Sequence, residues 1–240
     1  MTEVSDQRER SAMNPSKVMI MQRLVLFDLD NTLVDRLDAF RRWVGEFAER
    51  RGLDDGAAEW MVRLDGDGSL PMDVFFARVR ERFSLAEPVE ELWAAYRAGM
   101  PRLVVCREPV LRALEGLRDA GWRIGIVTNG MEDNQLGKIR RSGLAERVDG
   151  WAISGAEGVR KPDPRLFEIA AERCGAGLGV GGGERWVVGD DPVNDVEGGR
   201  TAGLRVVWID RGVQAWPPGL AAPGHVVADV EGAVGVITGP

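Results

Sequence analysis

The sequence predicts an α/β protein: a doubly wound parallel sheet with a small all-helical unit inserted after the first strand. Three observations carry this. Short apolar runs without helical spacing, at 24–27, 123–128, 185–189 and 205–209, read as buried strands of a parallel sheet. From residue 108 onward such runs alternate with amphipathic helical stripes, the pattern of repeated βα units with right-handed crossovers. Between the first run and residue 105 the chain shows helical spacing only.

The 240 residues accommodate one large domain or a core with a smaller second unit, and an apolar share of 44% supports a sizeable core. A net charge of −7 weighs against nucleic acid or an anionic membrane as partner. An anionic substrate would then require an imported cation, for which a metal ion is the natural candidate. No stretch approaches the ~18 apolar residues of a membrane span. The first twenty residues are polar, and the short V-M-I-M run lacks the shape of a secretory signal, so 1–20 reads as a mobile tail and the protein as cytoplasmic. Cys106 and Cys174 are far apart and fit no zinc or disulfide pattern, which makes them reduced thiols. The single histidine, His225, heads an apolar run and reads as structural rather than as the base of a Ser-His or Cys-His pair.

Taken in order, the first strand stops at Asp28-Leu29-Asp30, and Asn31 and Thr32 then favour a turn. A buried strand ending in carboxylates places them at the C-terminal edge of the sheet, where open α/β folds bind ligands. Leu37, Phe40, Val44, Phe47 and Ala48 form a first helical stripe stopped by Gly52. Met72, Phe75, Phe76, Val79 and Phe83 form a second after Pro71, and Val89, Leu92, Trp93 and Tyr96 a third after Pro88. These aromatic stripes read as helix–helix core. Residues 65–69 (DGDGS) resemble part of a calcium loop, but the closing glutamate is missing and the stretch reads as a turn. Arg36, Arg41 and Arg42 either reach a second anionic group of a substrate or form a solvated helix face.

Further on, Val110, Leu111, Leu114 and Leu117 mark a helix ended by Gly121, and the strand 123–128 leads into Asn129-Gly130. A helix over 133–142 is closed by Gly143, a short strand lies near 151–154, and Asp163-Pro164 reads as the N-cap and first residue of the next helix. Residues 175–183 are glycine-rich without a following Gly-Lys-Ser/Thr, which makes them a connector rather than a phosphate loop. The strand 185–189 ends in Asp190-Asp191-Pro192-Val193-Asn194-Asp195, and 205–209 and 225–228 are the last strands.

Three strands thus end in reactive polar residues: Asp28/Asp30, Thr128/Asn129 and Asp190/Asp191. Lys161 stands at a loop-to-helix start. Each piece alone is weak, but their conjunction at the mouths of parallel strands is specific. From about residue 22 to 230 the chain resembles the haloacid dehalogenase-like (HAD) hydrolases. Asp28-Leu-Asp30-Asn-Thr32-Leu resembles the family's first motif, Thr128-Asn129-Gly130 its second, Lys161 in Arg-Lys-Pro-Asp-Pro its third, and the 189–195 segment its fourth. The helical insert is similar to the cap of the subgroup with an α-helical lid. The resemblance implies a Rossmann-like core of 21–35 and 106–232 beneath a mobile cap of 36–105.

A carboxylate can attack phosphorus and split one hydrolysis into two displacements, which makes Asp28 the nucleophile. Phosphoryl transfer needs its charge neutralised, and Mg²⁺ held by Asp28, Asp190 and the backbone carbonyl of Asp30 would do that. Asp30 protonates the leaving oxygen and then activates water. Thr128, Asn129 and Lys161 bind the phosphate, and Asp191 or Asp195 orients Lys161 and the surroundings of the metal. The expected reaction is hydrolysis of a phosphate monoester of a small metabolite. A dehalogenase would use the same ester-forming aspartate, but it has no leaving oxygen to protonate, and that branch of the family lacks an aspartate at the position of Asp30. A phosphomutase shares every motif. A receiver-type signalling domain would be about half as long and would lack the insert. The pattern does not distinguish a monomer from a homodimer, nor does it name the metabolite.

Overall fold

A computed structural model describes residues 22–178 and 183–239. The N-terminal tail and residues 179–182 of the glycine-rich connector expected from the sequence lie outside them. Six parallel strands form one sheet: β1 (Arg23–Phe27), β2 (Trp122–Thr128), β3 (Gly150–Ile153), β4 (Arg185–Gly189), β5 (Arg205–Ile209) and β6 (Val226–Val227). Their spatial order is β3-β2-β1-β4-β5-β6. The chain builds outward from β1 in one direction and then from β4 in the other, so the strand order reverses between these two neighbours. That reversal is the topological switch point, where the crevice of such a sheet opens. Asp28 and Asp190 follow directly on the two strands that flank it. The central strand alternates between two apolar clusters: Val25 and Phe27 join one face of the core, Leu24 and Leu26 the other.

Four helices stand between β1 and the rest of the core: α1 (Arg36–Arg50), α2 (Ala57–Asp65), α3 (Met72–Arg82) and α4 (Val89–Gly99). Asp35 caps α1 by accepting a bond from the Asp38 N–H at 2.9 Å, and Gly52, at φ 59°, follows its C-terminus. The aromatic stripes pack on one another as the sequence implied, with Trp43 stacked on Phe47 at 4.9 Å and set edge-on against Tyr96 at 5.1 Å. This apolar block is continuous with the sheet: Phe40, Trp43 and Phe75 belong to the same buried cluster as Val25, Ile126 and Val188. Helix α2 has no counterpart in the sequence reading. It is nine residues long, buries only Ala57, Met61 and Asp65, and starts at Gly56 without a side-chain cap.

The remaining helices are α5 (Glu108–Asp119), α6 (Glu132–Arg141), α7 (Ser154–Glu157), α8 (Pro164–Arg173), α9 (Gly198–Thr201) and α10 (Val230–Thr238). Asp163 caps α8 at the Arg165 N–H, 3.0 Å away, with Pro164 as first residue. The core does not stop at 232. Helix α10 runs to Thr238 and buries Val230, Ala233 and Ile237, with Asp229 capping the Gly232 N–H. Its composition, apolar with Gly232 and Gly235, carries little helical signal. His225 packs its ring on Trp186 at 5.4 Å. Burial pushes the thiols of Cys106 and Cys174 up to about 12, so neither is a ready nucleophile. No helix among the described residues is long and apolar enough to cross a membrane.

Candidate active site

Backbone pairing carries β1 one residue further, through the Asp28 N–H to the Val188 carbonyl at 2.9 Å. Leu29 then turns wholly into the core, and Asn31 takes a left-handed conformation, φ 63°, that its short polar side chain tolerates. The chain folds back, with the Asn31 N–H bonded to the Val34 carbonyl at 2.7 Å. Asp28 and Asp30 are thus held at the sheet edge on either side of a buried leucine.

Lys161 organises the first acid. Its ammonium donates to Asp28 Oδ1 at 2.6 Å, to Asp195 Oδ1 at 2.6 Å and to the Val127 carbonyl at 2.9 Å. All three donors of the buried lysine are therefore satisfied. Asn129 fixes the backbone there: its Oδ1 accepts from the Lys161 N–H at 2.9 Å and its Nδ2 donates to the Lys161 carbonyl at 3.1 Å. Two of the three residues expected to bind phosphate, Asn129 and Lys161, are thus tied to each other and, through Lys161, to Asp28.

Asp195 reaches this cluster because β4 ends in glycine. A Cβ on Gly189 would collide with the Asp195 carboxylate. Asp191, considered with Asp195 as a partner of Lys161, has another task. Its Oδ1 accepts from the N–H groups of Val193 and Asn194 at 2.8 Å each, and its Oδ2 from Asn194 Nδ2. It caps the π-helical turn Pro192–Glu197, and Asp195 alone of the pair touches Lys161.

Carboxylate oxygens of Asp28, Asp190 and Asp195 lie within 4.8 Å of one another. Burial, opposed by Lys161 and aided by Asp195 and Asp190, pushes the Asp28 carboxyl well above its ordinary range. Burial together with Asp195 raises Asp190 to about 7, against the pull of Arg211 and Lys161. Burial likewise raises Asp195 despite Lys161. Three crowded acids face Lys161 and an Arg211 that Asp190 shares with Asp67, which leaves an excess of negative charge, and hard oxygen donors suit a divalent cation. The donor set fits a metal ion on that ground.

Asp30 lies outside this cluster. Its carboxylate accepts from Lys138 Nζ on both oxygens, at 2.8 and 2.7 Å, and from Gln135 Nε2 at 2.9 Å. Burial would raise its pKa, but Lys138 and Arg36 more than offset that, so Asp30 is held below the ordinary carboxylate range. Its expected contact with a metal is through the backbone carbonyl, which this engagement does not use. Gln135 Nε2 also donates to Thr128 Oγ1 at 2.6 Å. The Thr128 hydroxyl, accepting there, has its own proton to give elsewhere.

Gln135, Lys138 and Arg211 were not singled out from the sequence. The first two share a face of α6, whose first turn follows the Thr128-Asn129-Gly130 strand end; their spacing of three and the buried Ile139 beside them were the available signal. Arg211 follows β5 at the same sheet edge and donates to Asp190 at 3.1 Å and to Asp67 at 2.6 Å. Asp67 also accepts from Asn31 at 3.2 Å, while the neighbouring Asp65 is buried against Arg36 in a two-bond pair of 2.7 and 2.8 Å. The acids of the 65–69 turn are therefore occupied by core and helix partners. Arg36 is a buried structural cation, Arg42 pairs with Asp38, and Arg41 is exposed.

Residues 22–203 match the family model described as haloacid dehalogenase-like hydrolase. The chain belongs to the HAD-like hydrolases. Among its relatives, the phosphoserine phosphatase of Thermus thermophilus is 30% identical over 87% of this chain and 96% of its own length. The glyceraldehyde 3-phosphate phosphatase of Pyrococcus abyssi is 30% identical over 80% of this chain and 83% of its own. The HAD phosphatase structure from Thermococcus onnurineus superposes with a TM-score of 0.62 at 24% identity, covering 91% of this chain and 99% of that one, a likeness of fold. This HAD-like hydrolase is an enzyme of the phosphatase kind.

Proposed function

We propose that this HAD-like phosphatase hydrolyses phosphate monoesters of small metabolites through an aspartyl-phosphate on Asp28, with Mg²⁺ as cofactor. The observation that carries the reading is the buried Asp28, held by Lys161 at 2.6 Å amid Asp190 and Asp195, with a second, separately anchored acid two residues away. Asp28 attacks phosphorus, the bond to the leaving oxygen breaks, and that oxygen takes a proton from Asp30, which has to enter this step protonated although Lys138 favours its ionised form. Water then attacks the phosphorus of the aspartyl-phosphate, Asp30 takes its proton, and phosphate leaves Asp28 as it was. Asp28, Asp190 and the Asp30 carbonyl would hold the Mg²⁺, and Asp195 stands in the same cluster of acids. Once bound, the ion would supply positive charge against the phosphate oxygens.

Thr128 donates its hydroxyl proton to the phosphate, and Asn129 keeps Lys161 in register. Lys161 orients the nucleophile and adds a point charge beside the transferring group. The helical unit of 36–105 acts as a cap over the core, and it carries the choice of metabolite. The named relatives act on small phosphorylated compounds, which supports that substrate class.

Free phosphate release from a panel of phosphometabolites tests the reading, with wild type, Asp28→Asn and an EDTA-treated sample side by side. Full activity in Asp28→Asn, or indifference to EDTA, would sink it. Metal-independent chloride release from haloacids would select the dehalogenase reading, and accumulation of an isomerised sugar phosphate the mutase.

A further inference from the structure

We propose that Lys138, assisted by Gln135, is a positioning residue that holds Asp30 for proton transfer; the inference rests on the phosphatase reading above. Lys138 is buried on α6, with 1% of its side chain exposed. A methionine or leucine at this place would fill the same volume with no charge to desolvate, so packing gives no reason for an ammonium here. What the ammonium does is grip both oxygens of Asp30, at 2.8 and 2.7 Å. One turn earlier on the same helix, the Gln135 amide donates one hydrogen to Asp30 and the other to Thr128.

Two residues of one helix thereby fix the carboxylate of Asp30 in three bonds and tie it to the hydroxyl proposed to meet the phosphate. Gly130 makes room for this arrangement: at φ 151°, it lies where a Cβ would come within 2.8 Å of the Gln135 side chain. The anchoring is separate from the Lys161 cluster, so it sets the direction of Asp30 without touching the nucleophile. Water attack on the aspartyl-phosphate needs a base aimed at the water. The departure of a good leaving group from phosphorus does not. Loss of Lys138 therefore slows the second displacement more than the first.

The test uses p-nitrophenyl phosphate at saturating Mg²⁺, with stopped-flow release of p-nitrophenolate and acid-quench trapping of phosphoenzyme. For Lys138→Met the expected result is kcat lower by about 10²-fold, the lower end of what a positioned proton-transfer group contributes. kcat/KM should change less than about threefold, and KM should fall in step with kcat. A burst near one p-nitrophenolate per enzyme and an accumulating phosphoenzyme should accompany this. Lys138→Arg should restore part of kcat, and Gln135→Leu should show a weaker form of the same split.

A parallel fall of kcat and kcat/KM without phosphoenzyme in Lys138→Met or, should that variant not fold, in Gln135→Leu, would overturn the proposal. So would unchanged kinetics. Failure of the phosphatase reading itself would look different, because the wild type would then release no phosphate and Asp28→Asn would not differ from it.

Discussion

Two lysine–aspartate pairs stand two residues apart on the same loop, and their environments are opposite. Around Asp28, one lysine serves two acids at 2.6 Å each, and a third acid lies within reach. Around Asp30, one acid faces Lys138 directly, and the charge of Arg36 adds to it. The first carboxyl is pushed above its ordinary range and the second held below it. The difference teaches that the site is unbalanced by placement. Negative charge is left over where a cation and a phosphate would meet, while Asp30, two residues on, is matched by a cation of its own.

The largest expected effect comes from Lys161→Met. Removing one partner of a buried ion pair typically costs about 3–5 kcal/mol, and here two acids lose their cation together. Chemical denaturation with and without Mg²⁺ checks this, and the ion should restore part of the loss. The corresponding Lys138→Met should cost less, about 1–3 kcal/mol, because the partly exposed Asp30 can recruit water, and Mg²⁺ should restore none of it. Equal losses from the two variants would break the contrast.

Gly189→Ala sharpens the same comparison from the backbone side. The added methyl would displace Asp195 from Lys161, for a stability loss of about 1–3 kcal/mol and a 10–100-fold weaker hold on Mg²⁺, measured by calorimetry. The smallest effect concerns pH. Burial and Asp195 raise Asp190 to about 7, so the metal-free folded protein keeps a proton that the unfolded chain gives up near pH ~4. That stability contribution is lost as pH rises from ~4 to 7. Because the cation needs the ionised acid, the Mg²⁺-induced rise in Tm should be larger at pH 8 than at pH 5.5. A rise independent of pH would remove Asp190 from the ligand set.

Much of this was legible before any coordinates. Apolar runs ending in polar residues marked the strands, because a parallel sheet buried on both faces tolerates little else. Gly52 and Asp163 marked helix ends because positive φ and capping demand particular residues. Helices α2 and α10 were not legible. One is short and uncapped by a side chain, and the other is mostly apolar with two glycines, so periodicity had little to register.

Within the site, the sequence by itself determined which residues could carry phosphoryl chemistry: Asp28, Asp30, Thr128, Lys161 and Asp190, each at the mouth of a strand or the start of a helix. Local rules suffice there, since strand ends and turns are written in neighbouring residues. Only the tertiary structure decided how the charges are shared. Asp195 rather than Asp191 reaches Lys161, Asn129 clamps the Lys161 backbone, and Lys138 and Gln135 anchor Asp30. Those pairings join residues 108 positions apart for Lys138 and Asp30 and 34 apart for Lys161 and Asp195. Charge pairing depends on distance in space, and nothing in the local pattern encodes which distant cation arrives at which acid.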